Sequence, residues 1–500
     1  MLHERDADPF TVARTGRRRE PRHWRAPSRS VVVWLAVAVL VVGLAILFVV
    51  LAKVRPAYDA YGWLVWGQQA VHLRLDTSSA PSWKPLTFLF TFPYALIVGR
   101  DALYVWMVTA VAAGFSAPIF AGRIAYRLAG PDTLSRGARL CGAVFAGLAV
   151  VGLEGYWHFV LIATADPMMV ALCLAALDCA VHGRPRAAWV LLILTCLGRP
   201  EASLIVLAYA VWMWRQVPGT RLLLIGGIAV IPLLWFGIAA LTSYSWLIAA
   251  KVLDQSTTAV AGNKILGVLN YFAGLYEAPM QIAALAMLAA AVILRERRWL
   301  LVLAAVITWL ISDIALALHG SGLAPRYLFE PAAVVVVLIG AAIGRLLRVN
   351  LRVAANLRPV AALRWLGVAA LVALVATMFA PARLRARLAH NGILLGQRWA
   401  LQIHRLHTVI DADGGPRAIL ACGTPVTTIP YQSILAWETE RNVSEIGWSP
   451  AAWARASGPI VLFAPVGSGW QVRAIHSRRA DAAGCRHLDR RTATDGRGIT

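Results

Sequence analysis

Residues 31–52 read VVVWLAVAVLVVGLAILFVVLA, 22 residues in a row without a charge. A helix rises about 1.5 Å per residue and needs about 20 apolar residues to cross the hydrocarbon core of a bilayer, so this run is long enough to span it. It exceeds the apolar core of a secretory signal and no small-residue cleavage site follows, so it reads as an anchor that the chain keeps. Residues 1–30 carry eight arginines against four acids and show no apolar periodicity, which predicts a disordered basic tail on the cytoplasmic side. The segment after the anchor, Lys53 to Arg100, then emerges on the outer side.

Hydrophobic residues make up 59% of the 500 and charged residues 15%, and near-charge-free runs recur along the chain. The expected fold class is a polytopic α-helical membrane protein with about 11 transmembrane helices and a small C-terminal extracytoplasmic α/β domain. Ten spans follow the first, near Ala102 to Phe120, Leu140 to Leu153, Pro167 to Val181, two short halves of Ala187 to Trp214, Leu222 to Leu241, Pro279 to Leu294, Leu300 to Leu318, Leu328 to Gly344 and Trp365 to Ala380. Leu86 to Val98 is apolar but short and interrupted by Pro93, which reads as interfacial or re-entrant.

With Ala187 to Trp214 folded as a hairpin, Arg199-Pro200-Glu201 forms its outer tip. The inner segments then hold 24 basic residues and the outer loops before the final domain hold nine, in keeping with the inside preference of lysine and arginine. The formal charge of +23 thus sets orientation and meets anionic headgroups of the membrane lipids, and no nucleic-acid partner is expected.

The membrane domain covers 31–380, with its first outer loop at 53–100. From 381 to 478 the composition changes: an amphipathic helix at Leu394 to Ile410 is followed by β-rich runs at Arg417 to Cys422, Ile460 to Phe463 and Gln471 to Ile475. Residues 479–500 read as a disordered tail. Four cysteines, Cys141, Cys173, Cys179 and Cys196, lie in spans as small packing residues. Cys422 and Cys485 are the two of the outer domain, and an oxidising compartment allows them to pair.

No strand, glycine loop and helix unit for a nucleotide is present. An activated sugar used on the outer face must therefore come attached to a membrane lipid such as a polyprenyl phosphate. Its transfer needs a carboxylate to take the proton of the acceptor hydroxyl and cations to hold the leaving phosphate. Asp59, in Tyr58-Asp59-Ala60-Tyr61-Gly62-Trp63, is the candidate base, and Lys84, in Ser82-Trp83-Lys84-Pro85, is a candidate phosphate partner with Arg199 and Arg326. Tyr58, Asp76, Glu201 and Tyr327 are candidate supporting residues, and Trp63 and Trp83 could stack on sugar faces.

Each has a structural reading as well. Asp59 could be a solvated loop acid, Arg199 and Glu201 a mutual ion pair, and Arg326 a snorkelling arginine. The tryptophans fit an interfacial belt. Asp166-Pro167 reads as an N-cap followed by proline at the first helical position. Asp313 lies inside a span with no partner named by the sequence.

Three motifs, Tyr58-Asp59-Ala60-Tyr61, Gly198-Arg199-Pro200-Glu201 and Pro325-Arg326-Tyr327-Leu328, together with the layout of Val31 to Ala380, resemble the GT-C superfamily of polyprenyl-phosphate-sugar-dependent glycosyltransferases. The chain looks most like actinobacterial cell-envelope members of the arabinofuranosyl- and mannosyltransferase type. That resemblance implies a multi-pass protein of a bacterial plasma membrane and an inverting transfer from a polyprenyl-phosphate sugar to a glycan or glycolipid acceptor, with Asp59 in the place of the family's first-loop acid. Many relatives pair two acids in that loop. Here alanine follows Asp59 and the next acid is Asp76, so a divalent metal stays possible and no cofactor is assigned. A transporter or flippase of a lipid-linked sugar and a non-catalytic envelope scaffold are the rival classes, the first favoured by the helix break at Arg199-Pro200-Glu201.

Overall fold

A computed structural model describes residues 29–79, 81–130, 136–254, 260–353, 358–449, 459–475 and 485. The basic tail expected at 1–30 and the tail at 479–500 lie outside these almost entirely. The chain starts with α1 (Arg29–Ala52), α2 (Tyr58–Val71), α3 (Pro85–Val98), α4 (Ala102–Leu128), α5 (Arg136–Val151), α6 (Tyr156–Leu161) and α7 (Asp166–Val181). It continues through α8 (Pro185–Gly198), α9 (Ser203–Gln216), α10 (Arg221–Pro232), α11 (Ile238–Thr242), α12 (Ile248–Asp254) and α13 (Lys264–Gly274). Next come α14 (Ala278–Ile293), α15 (Arg297–His319), α16 (Phe329–Val353) and α17 (Arg358–Ala412).

By length and apolar composition, five helical stretches among the described residues are able to cross a membrane: Val31–Ala52, Pro85–Leu128, Arg221–Thr242, Arg297–His319 and Pro325–Leu347. A sixth is formed if α13 and α14, which meet at a bend of 106°, count as one broken span. The expected spans in α5, α7, α8 and α9 are helical but only 14 to 16 residues long. The stretch read as interfacial, Leu86 to Val98, is the regular helix α3 despite Pro93.

The core is arranged around α16, whose first four turns are buried on every side, between α4, α5, α7, α14, α15 and α17. Its sequence explains this, because VVVVLIGAAIG at 334–344 has no polar face to show to water. The closest approach is to α5. A Cβ placed on Gly142 would stand 2.2 Å from Gly340 O, and one on Gly340 would stand 2.5 Å from Gly142 O. Helices in lipid gain little from hiding apolar surface from one another, so such small-residue contacts, which let backbones touch, carry much of their packing. Gly340→Val should therefore destabilise the protein by about 3 kcal/mol or more. Thermal unfolding in detergent reads it as a lowered midpoint, whereas Gly43→Val, where nothing stands within 4 Å, leaves the midpoint unchanged.

The C-terminal part adds α18 (Gly415–Cys422), β1 (Thr424–Val426), α19 (Ile429–Thr439), β2 (Ile460–Val466) and β3 (Gly469–Ile475). The sheet has the order β1-β2-β3, with β1 parallel to β2 and β2 antiparallel to β3. β2 and β3 confirm two of the expected β-rich runs. The third, Arg417 to Cys422, is helix α18 instead: Pro416 sits in its first turn and Ala418 and Ala421 favour helix over strand. Cys422 and Cys485 form a disulfide.

No break separates the last expected span from the amphipathic helix, since α17 runs unbroken through Pro381. Its Arg385 reaches Glu154 at 3.2 Å and Glu277 at 2.9 Å, and Gln397 donates to Ala52 O at 3.0 Å. The C-terminal part therefore sits at the end of the bundle where α1 ends and α2 begins.

Candidate active site

The charged residues of this end stand beside prolines. Lys84 precedes Pro85, Asp166 precedes Pro167, Arg199 precedes Pro200, Arg326 follows Pro325 and Glu330 precedes Pro331. A proline starts a helix readily and holds the residue before it extended, as Lys84 (φ −137°, ψ 104°) and Arg199 (φ −139°, ψ 96°) are. Each pair thus starts or breaks a helix and sets a charge at its end. The N-termini of α2, α3, α7 and α16 converge here, where their unpaired N–H groups favour negative charge.

Asp59 occupies the first turn of α2 and Arg326 the short turn Pro325–Leu328 ahead of α16. Arg326 Nη2 lies 3.4 Å from Asp59 Oδ2, and these side chains are about equally exposed, at 26% and 25%. Behind them the site closes. Arg326 Nε lies 4.0 Å from Asp166 Oδ1, while Arg199 pairs closely with Asp166 and at 3.3 Å with Glu330 Oε1. Arg199, Asp166 and Glu330 are at most 3% exposed. Arg199 therefore braces the floor of the site, and Arg326 and the half-buried Lys84 are the cations that reach its mouth.

Tyr327 stands among all three cations, its ring 4.2 Å from the Arg199 guanidinium, 5.7 Å from that of Arg326 and 5.9 Å from the Lys84 ammonium. Burial pushes the Lys84 ammonium down to about 8, with Arg199 and Arg326 adding to the effect and Asp166 and Asp59 opposing it. His158 is pushed down by burial and then by Arg326. It lines a small cavity of about 120 Å³ with Glu154, Trp157 and Arg385.

The remaining expected residues fall in other places. Tyr58 ties α2 to the C-terminal part: its hydroxyl donates to Gln432 Oε1 at 3.1 Å and its carbonyl accepts from Ser433 Oγ at 2.6 Å. Asp76 is a loop staple, accepting from Ser78 N at 2.8 Å and from Ser444 Oγ at 2.7 Å, and does not join the site. Glu201 is buried, does not pair with Arg199, and its Oε2 has no hydrogen-bond partner among the described residues. It neighbours Asp313, which is fully buried with both oxygens unbonded among those residues. Trp63 and Trp83 are packed in the core, Trp63 edge-on to Trp106 and Trp83 donating to Leu234 O at 3.1 Å, so neither offers a face to a sugar or sits in an interfacial belt.

Two carboxylates central to the site were not read as site residues from the sequence. Asp166 is the first residue of α7 and not its cap, which is Ala165. Glu330 stands in an otherwise apolar run, a costly position that signals a buried partner. The signal for both was the repeated pairing of a charge with proline.

Among the described residues, no group of three or more histidine, cysteine, aspartate or glutamate side chains is arranged to hold a metal ion, and Asp59, Asp166 and Glu330 face guanidinium groups.

No protein family and no curated protein matches the sequence. Two solved structures are similar to it. ArnT from Cupriavidus metallidurans bound to undecaprenyl phosphate is 15% identical, with a TM-score of 0.51 over 88% of this chain and 93% of that one. ArnT from the same organism in the apo state is 13% identical, with a TM-score of 0.47 over 87% and 92%. At 15% identity the likeness to the first is one of architecture: over most of its length, this chain has the fold of ArnT.

Proposed function

We propose that this protein is a GT-C glycosyltransferase that moves a sugar, with inversion, from a polyprenyl-phosphate donor to a glycan or glycolipid of the cell envelope on the outer face of the membrane. The observation that carries the reading is the Asp59–Arg326 pair at the mouth of the site, a carboxylate and a guanidinium 3.4 Å apart with Lys84 close by. In this reading eleven helices cross the membrane, with α5, α7, α8 and α9 as short crossings, the N-terminus inside and the C-terminal domain outside.

The donor enters sideways from the lipid and its phosphate takes the place of Asp59 beside Arg326. Asp59, released from its ion pair, accepts the proton of the acceptor hydroxyl. The hydroxyl oxygen bonds to the anomeric carbon as the bond from that carbon to the phosphate oxygen breaks, and the electron pair leaves with the polyprenyl phosphate. Lys84 and Arg326 balance the charge that builds on the phosphate. The C-terminal domain steadies α2, and with it Asp59, through Gln432 and Ser433.

The test is sugar transfer by purified protein from polyprenyl phosphates carrying arabinose, mannose and other sugars to envelope-type acceptors. Product formation supports the reading. Failure with every donor, together with lipid-sugar movement between liposome leaflets, would replace it with a flippase.

The donor's binding should also depend on pH. The Lys84 ammonium, already pushed down to about 8, is lost as pH rises through that value. The donor KM is therefore expected to climb above about pH 8 as one cation at the mouth disappears. Lys84→Arg, whose guanidinium stays charged, should move that limb to higher pH, and an unmoved limb would exclude Lys84 as its source.

A further inference from the structure

The cavity that His158 lines lies between the end of α5, α6 and α17. It has a volume of about 120 Å³, and its lining includes Glu154, Trp157, His158, Leu161, Arg385 and Ala389. That is the space of about four waters, enough to take part of a sugar ring. Val151 and Leu388, also on its wall, are exposed, so the cavity opens to the surface of the bundle.

Arg385 decides what the cavity can hold. Glu277 Oε1 at 2.9 Å and Glu154 Oε2 at 3.2 Å both take the same nitrogen, Nη2. The guanidinium is thereby fixed, and its Nε is buried with no hydrogen-bond partner among the described residues. An N–H of a buried cation is costly to leave unpaired, so the cavity that Arg385 lines has to supply an oxygen. Two carboxylates against one guanidinium leave negative charge in excess at this cluster, which disfavours a phosphate and suits a neutral hydroxyl. Glu154 and His158 can bond to further hydroxyls, and Leu161, Leu388 and Ala389 offer an apolar wall to the carbon face of a sugar.

The cavity adjoins the mouth of the candidate active site. His158 is near enough to Arg326 to feel its charge, and its ring lies 5.3 Å from that of Phe159, which in turn lies 5.5 Å from the Arg326 guanidinium. α6 also ends against the start of α2, where Ala57 N donates to Ile162 O at 3.1 Å, two residues before Asp59. We infer that this cavity seats a sugar unit of the acceptor, with a hydroxyl oxygen accepting from Arg385 Nε and the reacting end of the acceptor directed past His158 towards Asp59. The inference rests on the glycosyltransferase reading and adds to it the place where the acceptor is held.

Two variants of the full chain in detergent test it. Ala389→Phe fills the cavity, and Arg385→Lys keeps a charge for Glu154 and Glu277 but removes the Nε donor. In each, the acceptor KM should rise at least about tenfold, the scale of one hydrogen bond to a charged donor, while the donor KM and the slow hydrolysis of donor by water stay as in the parent. An acceptor KM that moves in neither variant, with both melting near the parent temperature, leaves the cavity to water and overturns the inference. A raised donor KM beside an unmoved acceptor KM overturns it too, in favour of the donor. A parent protein that transfers to no acceptor rejects the glycosyltransferase reading instead. Saturation-transfer NMR with the methyl glycosides of arabinose and mannose then decides whether the cavity takes a sugar: a signal lost in Ala389→Phe places the sugar there, and a signal equal in parent and variant excludes it.

Discussion

Asp59→Asn should lower kcat for sugar transfer by at least about a hundredfold while the protein stays folded, the usual scale for removing a positioned general base. Asparagine keeps the shape of the side chain and suits the first turn of a helix, so α2 and its anchoring through Tyr58 to Gln432 and Ser433 should persist. What is lost is the proton acceptor. The donor side should respond in the other direction, because Asp59 competes for Arg326 at 3.4 Å in the empty site. Without that carboxylate the guanidinium is freer to meet phosphate, and donor KM should stay level or fall. A drop in kcat with an unraised KM is the signature of a lost transition-state interaction. Full activity in the variant would reject Asp59 as base; Asp166, buried and paired with Arg199, would be a poor replacement.

The membrane region was legible because its signals are local. The charge-free run of 31–52 has to be a helix in lipid, and α1 starts and ends close to where composition places it. Asp59, Lys84, Arg199, Arg326 and Tyr327 were readable for the same reason, since polar groups beside apolar runs are costly unless they have a use. Their division of labour was not. Arg199 and Arg326 look alike in sequence, each next to a proline, and only the tertiary arrangement puts one on the floor and the other at the mouth. Asp166 went unrecognised because an aspartate before proline has an adequate local explanation as a helix cap. Its real partner, Arg199, is 33 residues away. Trp63 and Trp83 were misread in the opposite sense: tryptophan favours interfaces on average, yet here both fill the contact of α2 and α3 with their neighbours.

Asp76 and the segment Arg417 to Cys422 show a different limit. A loop acid looks functional until its hydrogen bonds to Ser78 and Ser444 are seen. A short run that suits either strand or helix is decided by context, here by the turn at Gly414 and Gly415 and the proline after it. The C-terminal part of the chain, expected as a small outer domain, holds the helix that carries Asp59. Besides the bonds to Tyr58, Arg100 beside α4 reaches Glu438 of α19 at 2.9 Å, and Trp437 packs edge-on to Tyr61. The position of α19 is thus coupled to that of the candidate base.

Arg199→Met should be the most damaging single change to stability, by about 3–5 kcal/mol, and it should act through folding before it acts on chemistry. Its guanidinium answers two buried carboxylates, Asp166 and Glu330, the latter at 3.3 Å, and its ring contact with Tyr327 at 4.2 Å helps to shape the turn that carries Arg326. Removing it leaves two acids facing each other's charge with little water to screen them. Neutralising one of them at the same time should help. In Arg199→Met with Glu330→Gln, one carboxylate remains, and Asp166 keeps Arg326 at 4.0 Å as a partner, so much of the lost thermal stability should return. Melting curves of the single and double variants in detergent measure the coupling. A bound-phosphate role makes the opposite forecast: Arg199→Met would melt near the parent temperature and show a raised donor KM, and the second substitution would restore neither. Recovery of stability in the double variant would instead leave Lys84 and Arg326 as the cations that meet the donor, because those two alone combine positive charge with access to the mouth.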